Sequence, residues 1–118
     1  MTLRETQSHF AALVPRLIDQ AIALGFEVTL GEAYRSPEEA ARLARLGRGI
    51  TIGRGITNSL HTSRLAIDLH LFKDGVYQTS SEAHRPLGEW WEAQGGAWGG
   101  RFTRPDGNHY SWPWEGRA

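Results

Sequence analysis

The segment SLHTSRLAIDLHLF, residues 59–72, carries the strongest structural signal in the sequence. From Ala66 to Phe72 the residues alternate in the period-two pattern of a strand, which places apolar side chains on one face and Asp68 and His70 together on the other. His61 lies a few residues earlier, in a predicted loop. A loop histidine followed by a strand carboxylate brings an imidazole nitrogen and a carboxylate oxygen within reach of one metal ion, at about 2.0 to 2.2 Å.

Upstream of this segment the sequence predicts an amphipathic helix. Apolar residues between Phe10 and Ile22 recur at helical spacing, and Thr2 and Glu5 predict a capping box at the start. Because Pro15 lacks an amide proton, the pattern predicts either a kink at this position or two shorter helices that meet there.

A strand and a second helix are predicted next. Alternation over residues 26–30 indicates a strand with one buried face. Ser36 and Glu39 predict an N-cap and its reciprocal cap for a helix that ends near residue 47, with Arg35 on the turn just before it. Residues 47–57 read GRGITIGRGIT, a direct repeat whose glycines favour a loop and match neither a dinucleotide nor a P-loop fingerprint. The arginines around this repeat are more typical of a solvated surface than of a site for an anionic polymer.

The C-terminal half adds a hairpin, a helix and a last strand. Asp74 and Gly75 predict the hairpin turn, and a helix is predicted over residues 82–94. The turn at residues 105–108 leads into a strand predicted over residues 109–112. Helices and antiparallel strands without regular alternation favour an α+β fold: one domain over residues 1–118, with an antiparallel sheet and flanking helices.

Composition narrows the function classes. The chain has 118 residues, 13 basic against 13 acidic, and no cysteine. Zero net charge gives no reason to expect a nucleic-acid partner, and no apolar run reaches the roughly 20 residues of a membrane span. Without thiolates, any zinc site must use imidazole and carboxylate ligands. The N-terminus lacks the apolar core of a secretory signal, so we expect the chain to be made in the cytoplasm.

A catalytic zinc site needs a third protein ligand. His109 is the best placed, because a tight turn and the start of a strand fix it firmly. His70 is the alternative, since it shares a strand face with Asp68, although a place in the cleft wall or behind the ligands suits it better. Asp106 lies three residues before His109, close enough to accept a proton as a general base, but Asp-Gly is also a common turn pair.

The other histidines and the tryptophans lack such partners in the sequence. His9 and His84 lie on predicted helices and are expected to be exposed. The five tryptophans, including Trp98, are expected in the core and the cleft walls rather than in specific binding platforms.

Three blocks, in order along the chain, resemble a family: the zinc D-alanyl-D-alanine carboxypeptidases and L-alanyl-D-glutamate endopeptidases, which include many bacteriophage endolysins. The family's Tyr-Arg-Ser turn corresponds to residues 34–36, and its Trp-Gly-Gly and Asp-x-x-His patterns correspond to residues 98–100 and 106–109. Its Ser-x-His-x-x-Gly-x-Ala-x-Asp pattern corresponds to residues 59–68, with Arg64 in place of the glycine. The runs LAIDL and DGNHY are similar to a phage-type subgroup.

The resemblance implies a hedgehog/DD-peptidase fold and one zinc ion held by His61, Asp68 and His109. It implies that Asp106 is the general base. The implied substrate is the stem peptide of bacterial peptidoglycan, cut next to an alanine, and we expect a monomer with no nucleic-acid or membrane partner.

Further roles follow from the same resemblance. It implies that Arg35 and Ser59 bind substrate, although Arg35 is also consistent with a simple surface cation, and that His70 and Trp98 line or support the cleft. If the chain is an endolysin, it is released to the wall by a membrane-permeabilising partner. The rival hypothesis is a zinc-containing module that binds the cell wall or a phage partner without cutting, and the intact Asp106 favours the enzyme.

Overall fold

The computed structural model describes residues 1–46 and 59–118, so the predicted GRGIT loop lies outside the described residues. Three α-helices are described: α1 Leu3–Ala23, α2 Pro37–Arg45 and α3 Arg85–Ala93. The strands are β1 Glu27–Leu30, β2 Ala66–Lys73, β3 Val76–Tyr77, β4 Ala97–Trp98 and β5 His109–Ser111. These elements confirm the predicted α+β class. No helix in the described ranges is long and apolar enough to cross a membrane.

Helix α1 begins at the predicted capping box, in which Thr2 Oγ1 accepts from the Glu5 amide and Glu5 Oε1 accepts from the Thr2 amide. The helix is continuous through Pro15, so the alternative of two shorter helices is wrong. Pro15 lies on the exposed side, where water replaces the missing backbone bond. The opposite side packs into the core through Phe10, Leu13, Leu17 and Ala21.

The sheet is antiparallel, with the strand order β1-β2-β5-β4, and β3 pairs with the far end of β2. The alternation predicted for β2 is confirmed, because Leu69 and Leu71 are fully buried while Asp68 and His70 are partly exposed on the other face. Asp68 lies opposite His109 in the register of β2 with β5. The sheet therefore brings together two side chains that are far apart in sequence.

Strand β1 departs from its prediction. Val28 is half-buried, but Leu30 is 66% exposed, so the apolar side of this strand is buried only in part. The strand lies at the edge of the sheet, and Leu30 stands at the end of its pairing with β2. Alternation in sequence does not reveal where along a strand the covering core ends.

Two local predictions near the helices need correction. Ser36 caps α2 as predicted, but the Glu39 carboxylate accepts from the Arg42 guanidinium rather than from the N-cap backbone. His84 was expected to be exposed and is only 2% exposed, because its Nδ1 is hydrogen-bonded to the buried Tyr110 hydroxyl at 2.8 Å. His9 is exposed as predicted.

The tryptophans occupy the predicted core positions. Trp91 and Trp98 are buried, and the three others pack against the core while partly exposed: Trp90, Trp112 and Trp114. The Trp91 indole donates to the carbonyl of Ser111, which ties α3 to β5.

Candidate metal centre

His61, Asp68 and His109 meet at one end of the sheet. One ligand atom from each lies within 4.8 Å of the other two. Asp68 Oδ1 is in the middle, 3.2 Å from His61 Nε2 and 3.6 Å from His109 Nδ1. Both imidazoles are buried, and Asp68 is partly buried. The structure thus brings together the three residues that the sequence predicts as ligands.

The His61 ring is fixed by its second nitrogen. His61 lies in a short 3-10 turn, Leu60–Ser63, and its Nδ1 is 2.9 Å from the carbonyl oxygen of Ala33. Because a carbonyl only accepts, Nδ1 carries the proton in the neutral ring and Nε2 is left to bind a cation. Ser59 caps this turn with its hydroxyl, which accepts from the His61 amide at 3.2 Å.

The electrostatics of the cluster favour a cation between these side chains. Burial by itself would raise the pKa of Asp68, but hydrogen bonds with His109 and His61 outweigh it and hold the pKa at about 2. Burial opposes charge on His61, yet the hydrogen bond and the negative charge of Asp68 raise its pKa. His109 Nε2 is buried and has no hydrogen-bond partner among the described residues.

Zinc fits this donor set. Two imidazole nitrogens and one carboxylate oxygen are a ligand combination of catalytic zinc sites, which keep a further position open for water or substrate. The partly exposed Asp68 leaves the cluster accessible from the open face of the sheet. The backbone bond from His61 to Ala33 supplies the kind of outer contact that orients metal-binding histidines.

Asp106 lies in the turn that precedes β5. Its amide donates to the carbonyl of Gly99, and its own carbonyl accepts from the His109 amide. A Cβ on Gly99 would come within 2.1 Å of the Asp106 carbonyl oxygen, so only glycine fits at this position. The Trp98 indole donates to the carbonyl of Gly107 at 2.7 Å, which explains the Trp-Gly-Gly block as a support for this turn.

The environment of Asp106 changes its acidity. Burial raises its pKa, and the negative charge of Asp68 adds to the effect, while His109, His61 and Arg35 oppose it. The Asp106 carboxylate therefore lies within the electrostatic field of Asp68, His109 and His61. A carboxylate with a raised pKa is a better proton acceptor near neutral pH.

Arg35 is tied to the site rather than free on the surface. Its amide donates to the His61 carbonyl, and its guanidinium forms a short ion pair with the Glu32 carboxylate. Glu32 is a site residue that the sequence reading missed. Its carbonyl also accepts from the Asp68 amide, and its Oε1 lies 3.9 Å from His61 Nδ1. The three-residue spacing of Glu32 and Arg35 is the one feature of the sequence that could have indicated this ion pair, but charged pairs at this spacing are common on protein surfaces.

Arg64 stands where the family pattern has glycine. It follows the 3-10 turn with φ 57° and ψ 35°, in the left-handed region that glycine adopts without strain. Its guanidinium lies 4.0 Å above the Tyr34 ring. The left-handed backbone therefore explains why the family pattern has glycine at this position. In this chain the Arg64 side chain is accommodated by its contact with the Tyr34 ring.

His70 and Trp98 lie beside and beneath the cluster. His70 shares the open face with Asp68, and its Nδ1 is 3.2 Å from the Tyr77 hydroxyl, so it points along the sheet. Trp98 is 2% exposed and supports the Asp106 turn from below.

One family model and two solved structures are similar to this chain. A family model described as D-alanyl-D-alanine carboxypeptidase matches residues 53–112. Among solved structures, the Serratia marcescens L-Ala D-Glu endopeptidase ChiX has a TM-score of 0.66 at 22% identity, covering 87% of this chain and 79% of that chain. A mutant of the vancomycin resistance D,D-pentapeptidase VanY, from a VanB-type resistance cassette and in complex with Zn(II), has a TM-score of 0.61 at 19% identity, covering 88% and 70%. Both structural similarities show that this chain has the fold of these two proteins. No curated protein sequence matches significantly.

Proposed function

Because this chain belongs to the D-alanyl-D-alanine carboxypeptidase family, we propose that it is a zinc-dependent peptidase that hydrolyses peptidoglycan stem peptides. The observation that carries the proposal is that His61, Asp68 and His109 lie close enough together to hold one ion, with Asp106 in the turn whose carbonyl accepts from the His109 amide. The zinc-bound VanY structure, which shares the fold, supports the choice of metal.

In this proposal His61 Nε2, Asp68 Oδ1 and His109 Nδ1 hold the ion, since these atoms face one another. When bound, zinc supplies Lewis acidity at the scissile carbonyl and makes the attacking water more acidic. The hydrogen bond to Ala33 keeps the His61 ring in the orientation and tautomer that binding requires.

Asp106 moves the proton. Its raised pKa suits a general base that takes a proton from the attacking water and then gives it to the leaving amine. The Gly99 contact and the bond to the His109 amide fix the backbone on both sides of this carboxylate. A base fixed in this way loses little freedom when it reacts.

Arg35 and Ser59 stand on the β1 side of the cluster, where we propose that they bind the substrate. The Arg35 Nε is buried without a partner among the described residues, so the guanidinium has a donor in reserve beyond its bond with Glu32. A guanidinium next to the scissile bond suits a carboxylate of the stem peptide.

The biological setting is also part of the proposal. We propose that the protein is a monomeric phage endolysin that reaches the wall with the help of a membrane-permeabilising partner. The similarity of the LAIDL and DGNHY runs to a phage-type subgroup supports this setting.

The test compares wild type with Asp106→Asn on purified peptidoglycan. Asn preserves the turn chemistry but cannot accept the proton, so release of new termini should fall by at least about a hundredfold. Zinc content and melting temperature should stay near wild type, because Asp106 is not a proposed ligand. If wild-type protein with full zinc releases no termini from any peptidoglycan, the peptidase gives way to a zinc-containing wall-binding module. Equal rates in wild type and Asp106→Asn would remove Asp106 as the base.

A further inference from the structure

An open pocket lies on the β5 side of the metal centre, between the segment that follows β3 and the turn that precedes β5. Its volume is about 180 Å³. Asp106 lines one part of it, and Tyr77 lines another, with Thr79 and Asn108 also in its wall. The pocket therefore adjoins the proposed catalytic base.

The pocket is built on the core of the sheet. The Gln78 amide donates to the Leu71 carbonyl, and the Asn108 carbonyl accepts from the Leu69 amide, so both walls are bonded to β2. The walls meet where the Gly107 amide donates to Ser81 Oγ at 2.9 Å. A Cβ on Gly107 would lie 2.4 Å from the Ser81 Cα, so this contact requires glycine.

The lining is polar and, apart from Asp106, uncharged. It consists of hydroxyl, amide and aromatic groups together with His84. Burial lowers the pKa of His84 to about 4, so this imidazole is neutral at pH 7. Within residues 1–46 and 59–118, the side chains of Thr79 and Asn108 form no hydrogen bond and are free for a ligand. Tyr77 lies beside the rings of His70 and Phe72 and is still 43% exposed, so part of its aromatic ring is open to a ligand.

The two sides of the metal differ in charge. Strand β2 separates β1 on one edge from β3 and β5 on the other. The segment after β1 carries the Arg35 guanidinium, whereas the pocket on the β3 and β5 side has no cation in its lining. A substrate that crosses the metal is expected to place an anionic group near Arg35 and a neutral group in the pocket.

We propose that this pocket binds the N-acetylated sugar that carries the stem peptide, with Thr79 and Asn108 as hydrogen-bonding groups and Tyr77 against the apolar face of the ring. This inference rests on the proposed function, and it names the part of peptidoglycan that the site requires. Hydroxyl and amide groups of a sugar match the free side chains of the lining. The exposed Tyr77 ring supplies the apolar contact that a pyranose face needs.

The same pocket discriminates between the two candidate bonds. On the carbonyl side of an L-Ala-D-Glu bond stand one alanine and then the uncharged sugar. On the carbonyl side of a D-Ala-D-Ala bond stand one alanine and then a diamino acid, whose free amine would need a carboxylate, and the lining offers only that of Asp106. Since Asp106 has to remain free to accept a proton, the pocket favours the cut between L-Ala and D-Glu.

The test uses three substrates with zinc-loaded protein: N-acetylmuramyl-L-Ala-D-Glu, the same dipeptide with an acetyl group in place of the sugar, and a stem pentapeptide that ends in D-Ala-D-Ala. The two blocked dipeptides are both uncharged at the end that enters the pocket, so they differ only in the sugar. We expect kcat/KM at least about tenfold higher for the muramyl substrate, and little release of terminal D-Ala.

The variant Thr79→Val removes one hydroxyl at nearly constant shape. It should lower the preference for the muramyl substrate about threefold or more, with cleavage of the acetyl dipeptide and zinc content unchanged. The matched control is Thr103→Val, an exposed position outside the pocket lining, which should keep the full preference. Binding of N-acetylmuramyl-L-alanine, measured by calorimetry, should weaken in Thr79→Val and not in Thr103→Val.

The outcomes distinguish the sugar site from the peptidase activity. Equal kcat/KM for the two dipeptides, or release of terminal D-Ala alone, would overturn the sugar site and leave the peptidase in place. Equal preference in Thr79→Val and wild type, with unchanged calorimetry, would also overturn it. No cleavage of any of the three substrates would count against the proposed function itself.

Discussion

Asp68 is held between two imidazoles and keeps its charge in a partly buried position, with a pKa of about 2 despite the opposing effect of burial. We propose that each of the three side chains of this cluster supplies one bond to zinc. Removing His61, Asp68 or His109 by substitution with Ala should therefore weaken zinc binding by more than about a hundredfold, since even changes behind the ligands cost ten- to a hundredfold. Zinc stoichiometry by elemental analysis and a chelator competition measure the effect.

The control for the ligand set is His70→Ala. His70 lies on the same strand face as Asp68, but its Nδ1 faces the Tyr77 hydroxyl, so zinc content should remain at one ion per chain. The reverse pattern, with zinc kept in His109→Ala and lost in His70→Ala, would replace His109 by His70 in the ligand set.

Arg64 tests how the family pattern works at a single backbone position. A φ of 57° is sterically unfavourable for any residue that has a Cβ. The free energy of unfolding of Arg64→Gly should therefore exceed that of Arg64→Ala by about 1 kcal/mol. Both variants lose the contact with Tyr34, and the comparison isolates the backbone. Urea unfolding at fixed zinc measures the difference.

Arg16, exposed in the middle of α1, provides the opposite control. There the backbone is helical, so the glycine variant should be less stable than the alanine variant by about 1 kcal/mol. If Gly is also the less stable replacement at residue 64, the strain assigned to this position is wrong.

At the scale of elements, predictions from sequence succeed where the cause is local. The alternation of β2, the capping box of α1 and the Asp-Gly hairpin all depend on neighbours within a few residues, and Asp74 and Gly75 do adopt the positive φ values that such a turn requires. That His61, Asp68 and His109 lie together could be predicted because His61 and Asp68 are close in sequence and a turn fixes His109.

Predictions fail where the cause is a distant partner. The burial of His84 depends on Tyr110, 26 residues away, and nothing near His84 in the sequence indicates it. Leu30 is exposed because of its place at the edge of the sheet. The pairing of Glu32 with Arg35 becomes significant only when the backbone bonds bring both residues to His61 and Asp68.

Across the whole molecule, distant parts of the chain hold the turn that carries His61. The Gln7 side chain donates to the Ser63 carbonyl at 2.7 Å from α1, and Arg117 donates to Ser63 Oγ at 2.9 Å from the C-terminal segment. The Trp112 amide donates to the Leu65 carbonyl. The geometry of the metal centre therefore depends on contacts with distant parts of the chain. Conditions that destabilise the core should also weaken zinc binding.

The buried His84 makes the stability of the domain depend on pH. Burial lowers its pKa to about 4, and the charge of His70 contributes in the same direction. In the unfolded chain a histidine has a pKa of about 6.5, so between about pH 6.5 and pH 4 the unfolded state binds more protons. The contribution of His84 to the free energy of unfolding is therefore fully present above about pH 6.5 and is lost as the pH falls towards 4. The loss should be on the order of 3 kcal/mol at its largest, from a shift of about 2.5 units.

Urea unfolding between pH 7 and pH 4 tests this through the difference between wild type and His84→Gln. Gln keeps a hydrogen-bonding group near Tyr110 but does not titrate, so its free energy of unfolding should fall less steeply with acid than that of wild type. The proposed zinc ligands are the same in both proteins, so any loss of zinc in acid cancels in the difference. His9→Gln is the matched control, because it makes the same substitution at an exposed position on α1. Parallel pH profiles for wild type and His84→Gln would mean that His84 is not the group that couples acid to unfolding.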